Sequence, residues 1–451
     1  MRYESFLAML DAGAEIPGEK LALLFEKDGE RHFLTFRDLA EIVRERSVSL
    51  RASKSACLGI LCDGSFDCVT EILASVTAGL QTVLLDGNAD ETVLAEQITH
   101  SDADCLWGDE ELTDLLAPSL RKAPIKRTGH VLFFTSGTTS AARAVILTEE
   151  SLCASAYAGA SLLPLSPEDT LLCLLPLNHV FGFVCGLLWA FQCGACTALG
   201  RGPRHFADDC AYFQPTALSV VPMLLAFLLK HSAMNPELHL LLVGAGDCSE
   251  ALLRAALASG RRVSFGYGLT ETSSGLALSL GEDPHAMTVC PDTEIKIAAD
   301  GEILVYAPYV MMKGYYRDPE ATNQALCKCF LRTGDLGRVD REGRLTVTGR
   351  KKEILVLQDG TKLFLPEYEG HIAAALDGRE LAAVLTEGRP VLVIRGREEE
   401  REEIQRRLQP VFRALPRGQQ PAAIRFISEP LPRTASGKIK RWEIQQKAGR
   451  L

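Results

Sequence analysis

Apolar and polar positions along the first hundred residues alternate between two periods. Residues 20–29 and 31–36 are short β-like runs. From about Arg37 the spacing turns helical, with Leu39, Ile42, Val43 and Val48 near one face. Five segments then follow between residues 55 and 109. Strand-like 55–64, 81–87 and 103–109 are separated by helix-like 66–80 and 92–101. Strands alternating with helices predict a parallel sheet with right-handed crossovers. Residues 131–148 interrupt this rhythm. The apolar run Val131 to Phe134 stops at Thr135-Ser136-Gly137-Thr138-Thr139-Ser140, and a second apolar run starts at Ala144. The pattern predicts strand, tight hydroxyl-rich loop, strand.

A helix is expected from about Glu149, and a buried strand and helix over residues 171–191, the most apolar stretch. Pro176, Asn178, His179 and two glycines interrupt that stretch, which argues against a membrane span. Residues 216–222 and 238–247 are further strand-to-loop junctions, where open α/β sheets bind ligands. Ser249 is a helix N-cap candidate. Strand-like 262–265 leads into Gly266-Tyr267-Gly268, then Thr270 and Glu271. Residues 293–349 are β-rich, with hairpin signals at Asp300-Gly301 and Glu342-Gly343. From about Lys351 the pattern becomes a small α+β module. The fold class is therefore α/β. A large N-terminal domain (1–350) has parallel-rich sheets, flanking helices and a β-subdomain, and a small α+β C-terminal domain covers 351–451.

Composition narrows the function. The chain of 451 residues is 47% apolar and 24% charged, ordinary for a globular protein. A net charge of −10 argues against nucleic-acid binding. Fourteen cysteines scattered through apolar runs suit buried thiols in a reducing compartment, and a cytoplasmic location is expected. Cys193 and Cys196 have CxxC spacing, but no second pair completes a zinc site.

The chemistry resides in loops. Residues 135–140 offer backbone N–H groups and five hydroxyls to an anion, and Arg143 adds a charge. The glycine–lysine spacing of a Walker loop is absent. Glycines around Tyr267 allow close approach to a flat ligand. Glu271 suits a hard cation and Thr270 a phosphate. Asp335, after a glycine, is an acceptor for a ribose diol. Lys438 lies between Gly437 and Ile439 in a basic closing segment.

Five stretches in this order resemble the adenylate-forming superfamily of acyl-CoA synthetases, adenylation domains and luciferases. They are 135–145, 176–182, 266–271, 332–336 with 347–356, and 431–441. The resemblance implies that Thr135 to Ser140 wrap the β- and γ-phosphates of ATP. Ala245, Gly246 and Asp247 line the adenine pocket, against which Tyr267 lies with Gly268 beside it. Thr270 contacts the α-phosphate, Glu271 holds Mg²⁺, and Asp335 with Arg350 binds the ribose. Lys352 falls on the hinge of a mobile C-terminal lid. Lys438 bridges carboxylate and α-phosphate oxygens, and His179 gates the acyl pocket. Ser140, Ala142, Arg143 and Ala144 replace the family's usual Gly, Pro, Lys and Gly. Phe265 stands where many members carry an amide.

The implied reaction is ATP-dependent activation of a small-molecule carboxylic acid to an acyl-adenylate. Transfer to CoA, or to the phosphopantetheine of an acyl carrier protein, follows. The 176–183 stretch has no acid to pair an amine, and an unpaired buried ammonium is costly. A fatty or aryl acid is therefore expected, with Phe181, Phe183, Val221 and Met223 as pocket or core residues. A non-catalytic nucleotide-binding homologue is the alternative from another class.

Overall fold

The computed structural model describes residues 1–123, 125–135, 143–357, 362–386, 388–433 and 439–448. Residues 1–135, 143–333 and 337–347 form one compact unit; residues 348–451, with 334–336, belong to a second.

In the first unit, the alternation of residues 55–109 folds as a parallel sheet. Cys57–Cys62 lies between Gln81–Asp86 and Cys105–Trp107, and Gln81–Asp86 pairs in parallel with His130–Phe134. The crossover helices Phe66–Thr77 and Glu91–Ser101 are started by side-chain acceptors. Ser65 Oγ accepts from the Cys68 N–H at 3.1 Å, and Asp90 Oδ1 from the Thr92 N–H at 2.9 Å. His130–Phe134 then turns back antiparallel on Ala144–Thr148, which pairs with Gly314–Tyr315. The hydroxyl-rich loop thus leaves from a central strand, and a distant segment closes the edge.

The second sheet has fourteen strands among the described residues. Its parallel centre contains Thr170–Cys173, Cys196–Leu199, Ala217–Val220, Leu240–Val243 and Arg262–Leu269. Beyond Arg262–Leu269 it continues antiparallel through Ser274–Ser279 into the β-rich region. Phe6 and Phe133 pack on Phe183 with ring centroids 5.9 and 6.0 Å away, all buried. Such aromatic contacts dominate core energetics through apolar area removed from water.

The second unit packs the helices Leu365–Ala374 and Arg401–Ala414 on a three-stranded sheet. Leu381–Thr386 and Arg389–Arg395 form its hairpin, and Ala423–Ile427 joins in parallel. Tyr368, Ile372, Leu392, Ile394, Ile404 and Leu408 are core residues there.

Several expectations need correction. Val48 is 62% exposed, because the buried stripe of Phe36–Ala52 runs through Ser47 instead. The Ser47 hydroxyl donates to the Arg44 carbonyl at 2.8 Å, so the polar group is satisfied in the core. The buried strand expected from residue 171 is short, Thr170–Cys173, and stops before Pro176. The strand at 262 does not stop at Phe265 but runs through both glycines to Leu269, because Tyr267 pairs with Ala277. The helix after Val180 contains a π-helical turn, Val184–Leu188. The Ser219 hydroxyl donates to the Cys185 carbonyl there at 2.7 Å.

The thiols supply a first prediction. Burial pushes Cys57, Cys173, Cys196 and Cys290 up to about 12, and Cys105, Cys185, Cys210 and Cys248 up to about 11. Thiolate is the reactive form. Cys327 and Cys329 are exposed. At pH 8 two thiols are expected to react quickly with an aromatic disulfide reagent, and all fourteen in denaturant. Loss of the fast phase in a Cys327→Ser, Cys329→Ser double variant checks the assignment.

Candidate active site

The hydroxyl-rich loop is held at its stem. The Thr135 N–H donates to the Arg143 carbonyl at 2.9 Å, and Phe134 is in register with Ala144. Ser136, Gly137, Thr138, Thr139 and Ser140 lie outside the described residues. Arg143 is not simply a solvated phosphate ligand. Its guanidinium lies 3.6 Å from Asp318 and 5.3 Å from the centroid of Tyr315. Both contacts suit a planar, delocalised cation.

Tyr315 connects this stem to Glu271. Its hydroxyl donates to Glu271 Oε1 at 2.7 Å. Burial, reinforced by the Glu271 carboxylate, pushes the phenol well above its usual range, so it remains a donor. Two backbone bonds fix the same geometry. The Met312 N–H donates to the Glu271 carbonyl at 2.8 Å, and the Lys313 N–H to the Ile146 carbonyl at 2.9 Å.

The turn carrying Thr270 and Glu271 is tightly specified. A short 3-10 helix covers Thr270–Thr272. The Leu269 N–H donates to Thr272 Oγ1 at 3.1 Å. Ser273 and Ser274 follow with φ of 51° and 105°. The second value lies where non-glycine residues are strained, a feature concentrated at functional sites. The Ser273 hydroxyl donates to the Val310 carbonyl at 2.8 Å and so anchors the turn.

The loop 244–247 leaves the strand Leu240–Val243, and Ala245 takes φ 59°. A Cβ on Gly244 would stand 2.9 Å from the Phe181 ring. The structure thus brings the 176–182 stretch against this loop. Gly246 and Asp247 continue it. His179 is half-buried just before the helix Val180–Phe183, and its carbonyl accepts from the Phe183 N–H at 2.9 Å. Of the residues expected in an acyl pocket or core, Phe183 is core and Met223 is 75% exposed. Phe181 is half-buried and packs against the core cluster that includes Leu240, Leu242 and Leu278. Asn178, read in the sequence only as an interruption of the apolar stretch, is buried, and its Oδ1 has no hydrogen-bond partner among the described residues.

Asp335 and Arg350 fall in the second unit. Asp335 is buried, and Arg350 Nε lies 3.2 Å from its Oδ1. Lys438 lies outside the described residues. The ends of its loop are paired, Arg433 with Ile439, and the Arg433 guanidinium reaches Glu380 at 2.9 Å. The backbone of Lys352 sits in a short 3-10 turn, Lys351–Glu353.

Among the described residues no cluster of three or more His, Cys, Asp or Glu side chains could hold a metal. Magnesium does not need one. It keeps several waters and takes one or two carboxylates plus substrate phosphates. Glu271, half-buried and joined through Tyr315 to the loop stem, fits that requirement.

Comparison with known proteins matches residues 117–316 to the family model of the AMP-binding enzymes. The chain is 27% identical to the 2-succinylbenzoate–CoA ligase of Listeria monocytogenes serotype 4b, across 95% of this chain and 97% of the relative. It is 30% identical to the indoleacetate–CoA ligase of Aromatoleum aromaticum, across 71% of this chain and 67% of the relative. The chain belongs to the adenylate-forming acyl-CoA synthetase superfamily. It is an enzyme of the AMP-forming CoA ligases. Its fold matches that of the o-succinylbenzoate CoA synthetase of Bacillus subtilis solved with ATP and magnesium. The TM-score is 0.80 over 97% of this chain and 99% of that one, at 23% identity. Among the described residues no helix is long and apolar enough to cross a membrane.

Proposed function

We propose that the chain activates an aryl carboxylic acid with ATP, releases pyrophosphate, and transfers the acyl group to CoA. The observation that carries this reading is the joining of Glu271 to the phosphate-loop stem through Tyr315. A carboxylate suited to a metal and the stem of the anion-binding loop are thereby joined through one tyrosine.

The residues divide the work. Loop donors from Thr135 to Ser140 hold the β- and γ-phosphates. Tyr267 lies on adenine, with Gly268 and Ala245, Gly246 and Asp247 around it. Asp335 and Arg350 hold the ribose hydroxyls. Thr270 contacts the α-phosphate. Glu271 holds Mg²⁺, which supplies charge neutralisation on the phosphate oxygens when bound. Lys438, delivered by the 351–451 lid, bridges the acid's carboxylate and the α-phosphate. The carboxylate oxygen attacks the α-phosphorus, the bond to the β-phosphate oxygen breaks, and pyrophosphate leaves. A thiolate then attacks the acyl carbon and AMP departs. Positioning and preorganised charge account for most of the acceleration in such a reaction.

An aromatic acid is favoured because the ligases of 2-succinylbenzoate and indoleacetate match across 95% and 71% of this chain, against 69% for a long-chain-fatty-acid–CoA ligase of Mycobacterium bovis at 28% identity. The 176–183 stretch also offers no carboxylate to an α-amine. The test is acid-dependent ATP–pyrophosphate exchange over aryl, fatty and amino acids. Exchange is expected with an aryl acid, with CoA as the productive thiol. Exchange with fatty acids alone would overturn the aryl assignment. Acyl transfer to a carrier protein but not to CoA would overturn the acceptor.

A further inference from the structure

We propose that Tyr315 is a positioning residue for the metal–nucleotide site, holding Glu271 in its cation-binding rotamer and tying it to the phosphate loop through Arg143. The inference rests on the reading of Glu271 as the metal-holding carboxylate.

A glutamate has three side-chain torsions, and a half-exposed one samples several rotamers. The phenol hydroxyl fixes Glu271 Oε1 at 2.7 Å. A charged acceptor makes this bond stronger than a neutral one. The bond turns the second carboxylate oxygen into the one available to a cation. Tyr315 is itself held from three sides. Its strand pairs with Ala144–Thr148, with Tyr315 opposite Val145. Its N–H donates to Thr322 Oγ1 at 2.9 Å. The Arg143 guanidinium lies over its ring and is itself paired with Asp318.

The ring thus stands between a cation at the loop exit and the carboxylate at the metal position. Displacement of the exit strand moves Tyr315 and, through its hydroxyl, Glu271. Partners of this kind around a metal ligand are typically worth ten- to a hundredfold in metal affinity.

The test uses the full chain with Mn²⁺ as probe. Mn²⁺ is titrated by electron paramagnetic resonance in the presence of α,β-methylene-ATP, with Tyr315→Phe and Glu271→Gln compared with the parent. Phenylalanine keeps the ring beneath the Arg143 guanidinium and removes the hydroxyl, with its bond to Glu271 and its hydrogen-bond interaction with Arg143. The expected result is an Mn²⁺ dissociation constant raised about tenfold or more in Tyr315→Phe. In pyrophosphate exchange the Mg²⁺ half-saturation rises in parallel while the KM of the acid stays within about twofold. An unchanged Mn²⁺ constant in Tyr315→Phe, with a weakened one in Glu271→Gln, overturns the inference and leaves the metal assignment standing. An unchanged constant in both variants overturns the metal assignment and the inference together.

Discussion

Lys438→Ala is expected to lower acid-dependent ATP–pyrophosphate exchange by about a hundredfold or more, the scale on which one preorganised electrostatic group acts. The attacking carboxylate and the α-phosphate are both anionic, so their approach is opposed by charge. A lysine ammonium in the proposed place between them would offset that repulsion most where the new bond forms. It therefore acts on the transition state more than on either bound substrate. The Arg433–Ile439 pairing and the Arg433–Glu380 ion pair hold the ends of the loop that carries it, so alanine removes the charge without loosening the stem. The two half-reactions separate the explanations. When synthetic acyl-adenylate and CoA are supplied, the variant is expected to form thioester within about threefold of the parent rate. A variant slow in both halves would point to general damage. One that exchanges pyrophosphate normally would remove Lys438 from the chemistry. Lys438→Arg should recover only part of the loss, because a planar fork cannot replace a compact point charge between two oxygens.

What could be read from the sequence was local. Alternation between residues 55 and 109 specifies the parallel strands because each element buries its own apolar face. The antiparallel pair His130–Phe134 and Ala144–Thr148 was legible from two apolar runs separated by a short polar stretch. Val48 was misplaced because a serine with a backbone partner fits a core stripe that hydrophobicity alone does not reveal. The end of the strand at Leu269 was missed because glycines read as a turn, whereas cross-strand pairing with Ser274–Ser279 keeps them extended. The link from Arg143 through Tyr315 to Glu271 had no local signal. It exists because Gly314–Tyr315 adds to the edge of a sheet begun far earlier in the chain. Phe183 illustrates the same limit in reverse. An aromatic beside a pocket motif has no sequence mark that tells lining from core, and packing on Phe6 and Phe133 decides it.

Gly268→Ala is expected to destabilise the enzyme by about 3 kcal/mol or more, at the severe end for single substitutions, and to abolish measurable exchange. Gly275→Ala, its cross-strand partner, should stay within about 0.5 kcal/mol. The two glycines face each other in register between Arg262–Leu269 and Ser274–Ser279. A Cβ at Gly268 would stand 1.7 Å from the Ser274 carbonyl oxygen and 2.9 Å from the Gly275 Cα. Both are backbone atoms, so no rotamer change relieves the clash and the strands must part. Ser274 cannot retreat easily, because it already takes φ 105° and Ser273 beside it is anchored to Val310. Tyr267, immediately before Gly268, and Glu271, in the turn it feeds, would both shift, so the nucleotide and metal contacts proposed for them would fail together. At Gly275 an added Cβ meets nothing within 4 Å. Chemical denaturation of both variants gives the stability difference, and pyrophosphate exchange gives the activity. If the two alanines cost the same stability, the close approach at residue 268 does not constrain the strand. If Gly268→Ala unfolds the chain no more easily but still loses exchange, the glycine serves ligand approach rather than the sheet.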